Sequence, residues 1–127
     1  MTTTLPFSAR TETVEFDRAV LSALCRKHGV RAESVLTERL AALARALDRA
    51  EAALAACETG ALDGRCAVIA RDAERIGMTT LVRAAEAVRG AIAAGDGTAV
   101  AACAARMLRL GRPDAAGSWT VRRGTVA

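Results

Sequence analysis

The sequence predicts an all-α protein, an antiparallel up-down four-helix bundle with an additional N-terminal helix. Three observations predict it. Alanine, the best helix former and a poor strand former, supplies about a quarter of the chain. Apolar residues recur in alternating steps of four and three, the spacing of a helix face packed at a shallow angle on its neighbour. The breaks between these runs are short, so consecutive helices turn back on one another. At 127 residues the chain suits one domain. Hydrophobic residues make up 52% and aromatics only 2%, so the core must come from Leu, Val, Ile and Ala.

Residues 1–12 are polar and read as a flexible N-terminus. The bundle occupies 13–111. Its first helix is expected from about Val14 to His28, with Phe16, Val20, Leu21, Leu24 and Cys25 as the apolar stripe. Gly29 offers a left-handed cap, and Lys27 and His28 suit the negative helix end. The second helix, from Ala32 or Ser34 to Cys57, carries the strongest pattern: Leu36, Leu40, Leu43, Leu47, Ala50, Leu54 and Cys57. "ETG" at 58–60 breaks it. The third runs from about Ala61 to Ile76, with Leu62, Cys66, Ile69, Ala73 and Ile76 on one side, and ends at Gly77. Thr79 or Thr80 is expected to cap the fourth, whose stripe is Leu81, Ala85, Val88 and Ile92. After the turn "AGDG" at 94–97, the fifth spans Thr98 to Leu110, with Val100, Cys103, Ala104, Met107 and Leu110 inward. Gly111 and Pro113 stop it. Residues 112–127 read as an extended or disordered tail, and Trp119 is suited to pin part of it to the bundle.

The net charge is +4, from 18 basic and 14 acidic residues, and Lys27 is the only lysine. Both signs are mixed along the helices, and Phe7, Phe16 and Trp119 lie near the ends, so a basic run with interleaved aromatics is missing. Nucleic acid is not the expected partner; an acidic protein surface is. The N-terminus lacks the pattern of a secretory signal, and no apolar run approaches the ~20 residues of a membrane span. A cytoplasmic protein that engages no membrane is expected. Cys25, Cys57, Cys66 and Cys103 are widely spaced, without a C-x-x-C pair, and are expected to be small buried core residues. No zinc site, other metal or cofactor is expected.

Catalysis needs nucleophiles, acids and bases held together. The chain has one histidine, His28, at an expected helix end where it suits the helix dipole. No phosphate-binding, dinucleotide-binding or zinc-hydrolase motif occurs. Asp72 and Glu74 read as solvated neighbours of Arg71 and Arg75. An enzyme is therefore not expected.

From about Leu36 to Leu110 the chain resembles a histidine-containing phosphotransfer (HPt) domain, a family of four-helix bundles that display a histidine on the exposed face of one helix. The family pattern is His, any residue, Leu, Lys, Gly, followed by a Leu-Gly pair six and seven positions after the lysine. Gly77 anchors the comparison. Ten positions earlier, Ala67 stands where the histidine would be; Ile69 matches the leucine, Ala70 replaces the lysine, and Arg71 replaces the glycine. "LVRAAEAVRGAIAAGDG" resembles the next helix and its "GD" turn at Gly95 and Asp96. At ~100° per residue, Ala67, Ala70 and Glu74 fall opposite the apolar stripe, with Arg71 at the edge, so this face is expected to be exposed. Alanine has no nucleophilic nitrogen, and Ala67 cannot carry a phosphoryl group.

The resemblance implies a degenerate, non-catalytic HPt-like module in a two-component phosphorelay. It would bind a response-regulator receiver domain or a histidine kinase through Ala67, Ala70, Arg71, Glu74 and Arg75. Arg71 and Arg75 would complement the acidity of a receiver domain, although Arg71 is a long side chain where the family has glycine. The alternative is a structural or oligomerising bundle without a link to phosphotransfer. Both leave a homodimer open.

Overall fold

A computed structural model describes residues 12–112. Among them the chain is all-helical, and four helices pack together. α1 spans Arg18–His28 and leads through a 3-10 turn, Gly29–Arg31, into α2, Ala32–Ala55; α3 is Thr59–Arg75, α4 Thr79–Ala93 and α5 Gly97–Leu110. α3 packs closely on both α2 and α4, and α4 on α5, whereas α2 and α5 touch sparingly and α1 packs mainly on α2 and the turn before it. No helix among the described residues is long and apolar enough to cross a membrane.

The four–three seam is the core. Leu43, Leu47, Leu62, Cys66, Ile69, Ile76, Leu81, Val88 and Met107 are each at most 2% exposed. Fully burying a side chain of this size contributes roughly 1.5–3 kcal/mol. Alanines 50, 73, 84, 85 and 104 are buried among them and let the helices approach closely. Leu40, expected in the core, is half-buried and packs against its edge.

The N-terminal end departs most from expectation. Residues 12–17 are not helical, and α1 begins only at Arg18, where the Asp17 carboxylate accepts from the Ala19 and Val20 amides. The segment before it is a strap across the α3–α4 connection. Phe16 forms an isolated antiparallel bridge with Met78 instead of joining a helical stripe. The Asp17 amide donates to the Gly77 carbonyl at 2.6 Å, and the Thr79 amide to the Glu15 carbonyl at 3.0 Å. Val14, 2% exposed, enters the core. Thr79 and Thr80 do not cap α4. The Thr79 hydroxyl donates to the Glu15 carbonyl, and the Thr80 hydroxyl accepts from the Glu15 amide. Two residues that read as a helix start are spent on the strap.

The other boundaries shift by smaller steps. α2 stops at Ala55; Cys57 takes a left-handed φ of 58° while the Glu58 amide donates to the Ala53 carbonyl. Thr59 and Gly60 therefore open α3 rather than break the chain. Asp96 caps α5 through the Ala99 amide, which starts that helix at Gly97. The expected flexible residues 1–11 and the tail from 113 to 127, with Pro113 and Trp119, lie outside the described residues.

Candidate partner-binding face

α3 has two edges and one outer ridge. Its Asp63 carboxylate accepts from Arg89 Nε of α4 at 3.0 Å. Glu74, eleven residues on, lines a cleft of about 290 Å³ with Val82 and Arg83 of α4 and with Asp17 and Val20 from the N-terminal side. Asp63, Ala67, Ala70 and Glu74 thus form one helical row along the α3–α4 seam. This corrects the expected exposure of the face. Ala67 and Ala70 are half-buried at the shoulder of the seam, and Ala70 packs against the core. Each member of the row follows a core residue by one position, about 100° round the helix, so the row flanks the core stripe instead of lying opposite it. Glu74, Arg71 and Arg75 are exposed.

The ridge facing solvent is formed by Gly60, Gly64, Ala67 and Arg71, with Arg75 beside it, at helical spacing. Gly60 and Gly64 are exposed; neither has a left-handed backbone, and a Cβ on either would meet nothing. Neither the backbone nor the packing among the described residues requires glycine there. Each costs its helix roughly 0.5–1 kcal/mol relative to alanine. The result is a shallow track with arginines at one end. Arg71 Nε lies 3.6 Å from Asp72 and is otherwise largely solvated.

Gly77 has a local cause. Its φ is +75°, and a Cβ would lie 3.0 Å from the Asp17 carbonyl oxygen and 3.2 Å from Val20 Cβ. The strap presses on it.

The cysteines divide instead of sharing the core. Cys66 is fully buried, its Sγ 3.8 Å from Met107 Sδ, and Cys103 is half-buried, but Cys25 and Cys57 are exposed. Burial, with the Asp63 carboxylate nearby, pushes the Cys66 thiol up to about 11, so it is a poor nucleophile. Among the described residues no group of three or more His, Cys, Asp or Glu side chains is placed to hold a metal. His28 ends α1 as expected, with Nε2 buried and without a hydrogen-bond partner among the described residues.

Sequence reasoning missed one polar cluster. Glu12 receives Arg106 Nη2 at 2.6 Å and Arg106 Nε at 2.9 Å, with Arg109 3.7 Å away, and Arg83 lies 4.0 Å from Glu15. These contacts tie the strap to α5 and α4. Their partners are more than sixty residues apart in sequence, and no local spacing signals them. Compared with protein-family models, with curated proteins and with solved structures, the chain matches none.

Proposed function

We propose that the chain is a non-catalytic, cytoplasmic HPt-like signalling module. In this reading α2 to α5 form an antiparallel up-down bundle with α1 as an added N-terminal helix. The module binds a response-regulator receiver domain or a histidine kinase of a phosphorelay. The observation that carries it is the outer ridge of α3. Gly60, Gly64 and Ala67 keep that ridge low, so a partner can approach the helix closely without desolvating many charges. Arg75 at its end, and Arg71, which is largely solvated beside its Asp72 contact, can meet carboxylates. An interface of the weak, transient class, about 1,000 Å² in total, suits such a strip. With Ala67 at the carrier position the module docks and transfers nothing.

The test uses purified receiver domains and kinases with binding kinetics. Ala67→Arg puts bulk on the ridge and should abolish docking; because Ala67 is half-buried at the seam, a melt must show that the variant remains folded. Arg71→Glu should slow association and blunt its salt dependence. The signalling reading fails if no receiver or kinase binds, or if Ala67→Arg binds like wild type.

The same open ridge also suits the alternative, a structural or oligomerising bundle, because two copies can lay such tracks against each other about a two-fold axis. Sedimentation velocity separates the two. A concentration-dependent dimer that Ala67→Arg dissociates, without receiver or kinase binding, selects the oligomer.

A further inference from the structure

The charge of this chain is not spread evenly. Between Asp17 and Glu33 there is no acidic residue, but there are Arg18, Arg26, Lys27 and Arg31. These four cations equal the whole formal net charge of +4; the rest of the chain holds fourteen basic and fourteen acidic residues. All four belong to α1 and the 3-10 turn after it, and all four are exposed.

They are also unpaired among the described residues, as are Arg39, Arg45, Arg49, Arg65 and Arg75, but those five share their helices with acidic residues, whereas α1 and its turn hold none. Arg71, Arg83, Arg89, Arg106, Arg109 and Arg112 each have a carboxylate within 4.0 Å. Arg18, Arg26, Lys27 and Arg31 pair with no carboxylate among the described residues. The helix dipole accounts for Arg26 and Lys27, which lie in the last turn of α1. It does not account for Arg18, a cation in the first turn, where the dipole opposes it. Arg18, Ser22 and Arg26 form a straight row on the outer side of α1, and with Ala19 they line a shallow depression. Val30, beside them, is fully exposed.

We infer that α1 and its 3-10 turn form a docking surface for an acidic segment of a partner protein, with Arg18, Arg26, Lys27 and Arg31 receiving its carboxylates. Small side chains between the cations let the segment's backbone lie close, and each guanidinium can hold a carboxylate in a bidentate pair. Duplex nucleic acid fits less well. Duplex binding rests on phosphate contacts along the backbone with side chains reaching base edges in a groove, and this short patch offers four cations and, between them, only Ser22 as an exposed uncharged polar side chain. A membrane surface fits less well too, because Val30 is the one large apolar side chain exposed here. This surface goes beyond the α3 ridge and stands apart from it.

The experiment titrates the full chain into a labelled peptide of alternating Glu and Ala, with short duplex DNA and phosphatidylserine vesicles as competing probes. The peptide should bind at low salt and weaken steeply as salt rises. Arg26→Glu with Lys27→Glu should lower its affinity about tenfold or more. Arg45→Glu with Arg49→Glu makes the same charge change on exposed positions of α2 and should leave affinity within about twofold. Ala67→Arg should leave it unchanged, which separates this surface from the α3 ridge. Circular dichroism melts confirm that each variant is folded. The inference is overturned if the peptide does not bind. It is also overturned if both double variants weaken it equally, if Ala67→Arg weakens it as much as the α1 variant, or if DNA or vesicles bind more tightly than the peptide.

Discussion

The helical body and the N-terminal strap are held by different physics. Around Leu43, Leu47, Ile69 and Ile76, apolar side chains at most 1% exposed interlock between helices. The strap contributes one fully buried apolar side chain, Val14, and otherwise depends on hydrogen bonds and ion pairs: Asp17 to Gly77, Glu15 to Thr79 and Thr80, Glu12 to Arg106. Burial of apolar area is large per residue and forgiving in direction. Polar contacts are smaller in net effect and demand particular partners. The body therefore sets stability, and the strap sets where one end of the chain lies.

Leu43→Ala should cost most. Its side chain is 1% exposed in the middle of α2, so the loss combines transfer and cavity terms, about 2–5 kcal/mol in a denaturant melt. A loss well under 1 kcal/mol would break the comparison at its stronger end.

The next largest effect lies where strap and body meet. Gly77→Ala meets a left-handed φ of +75° and the Asp17 carbonyl oxygen at 3.0 Å. Gly95→Ala meets a similar φ of +68°, with nothing within 4 Å. The conformational penalty, roughly 1–2 kcal/mol, is common to both. The close contact is peculiar to Gly77, so Gly77→Ala should cost about 1 kcal/mol more than Gly95→Ala. Equal losses in paired melts would mean that the strap does not press on the turn in solution.

The same contrast explains what was legible in the sequence. The body was: steps of four and three at Leu43, Leu47, Ile69, Ala73 and Ile76 are local, repeated and carried by burial. The strap was not. Phe16 and Val14 continue the apolar spacing of α1, and only the Asp17 cap, with backbone pairing to a turn sixty residues away, keeps them out of that helix. Thr79 and Thr80 have the chemistry of helix caps, and the distant Glu15 backbone claims their hydroxyls first. For the α3 face, residue types and row were legible, but exposure was misjudged: Ala67 and Ala70 follow the core residues Cys66 and Ile69 by one position, about 100° round the helix, so both are partly buried at the flank of the stripe.

Thr80→Val tests a single polar contact of the strap. The side chain is 6% exposed, and its hydroxyl accepts the Glu15 amide at 2.9 Å. Valine keeps the shape and removes the acceptor, at an expected cost of about 1–2 kcal/mol. Thr80→Ser should recover most of it. If valine matches wild type in thermal melts, the hydroxyl contributes nothing and apolar contact through Val14 holds the strap.

The smallest effect should depend on pH. The Arg106 hydrogen bond is the largest effect on the Glu12 carboxyl and, against burial, which comes second and raises it, holds it below its ordinary value of 4.5 with help from the charges of Arg106 and Arg109. A carboxyl depressed by folding stabilises the native state above its unfolded value, and that contribution is lost as pH falls through the folded value. Glu12→Gln removes the charge and should lower stability at pH 7; acidification below about 4.5 should then bring the two proteins together. The side chain is 35% exposed, so solvent and salt screen the pair, and the difference at neutral pH should be about 0.5 kcal/mol, shrinking further in high salt. Denaturant melts of both proteins across the acid range measure it. A difference that persists at low pH would mean that Glu12 acts through packing rather than charge, and that the strap is closer in kind to the body than its contacts indicate.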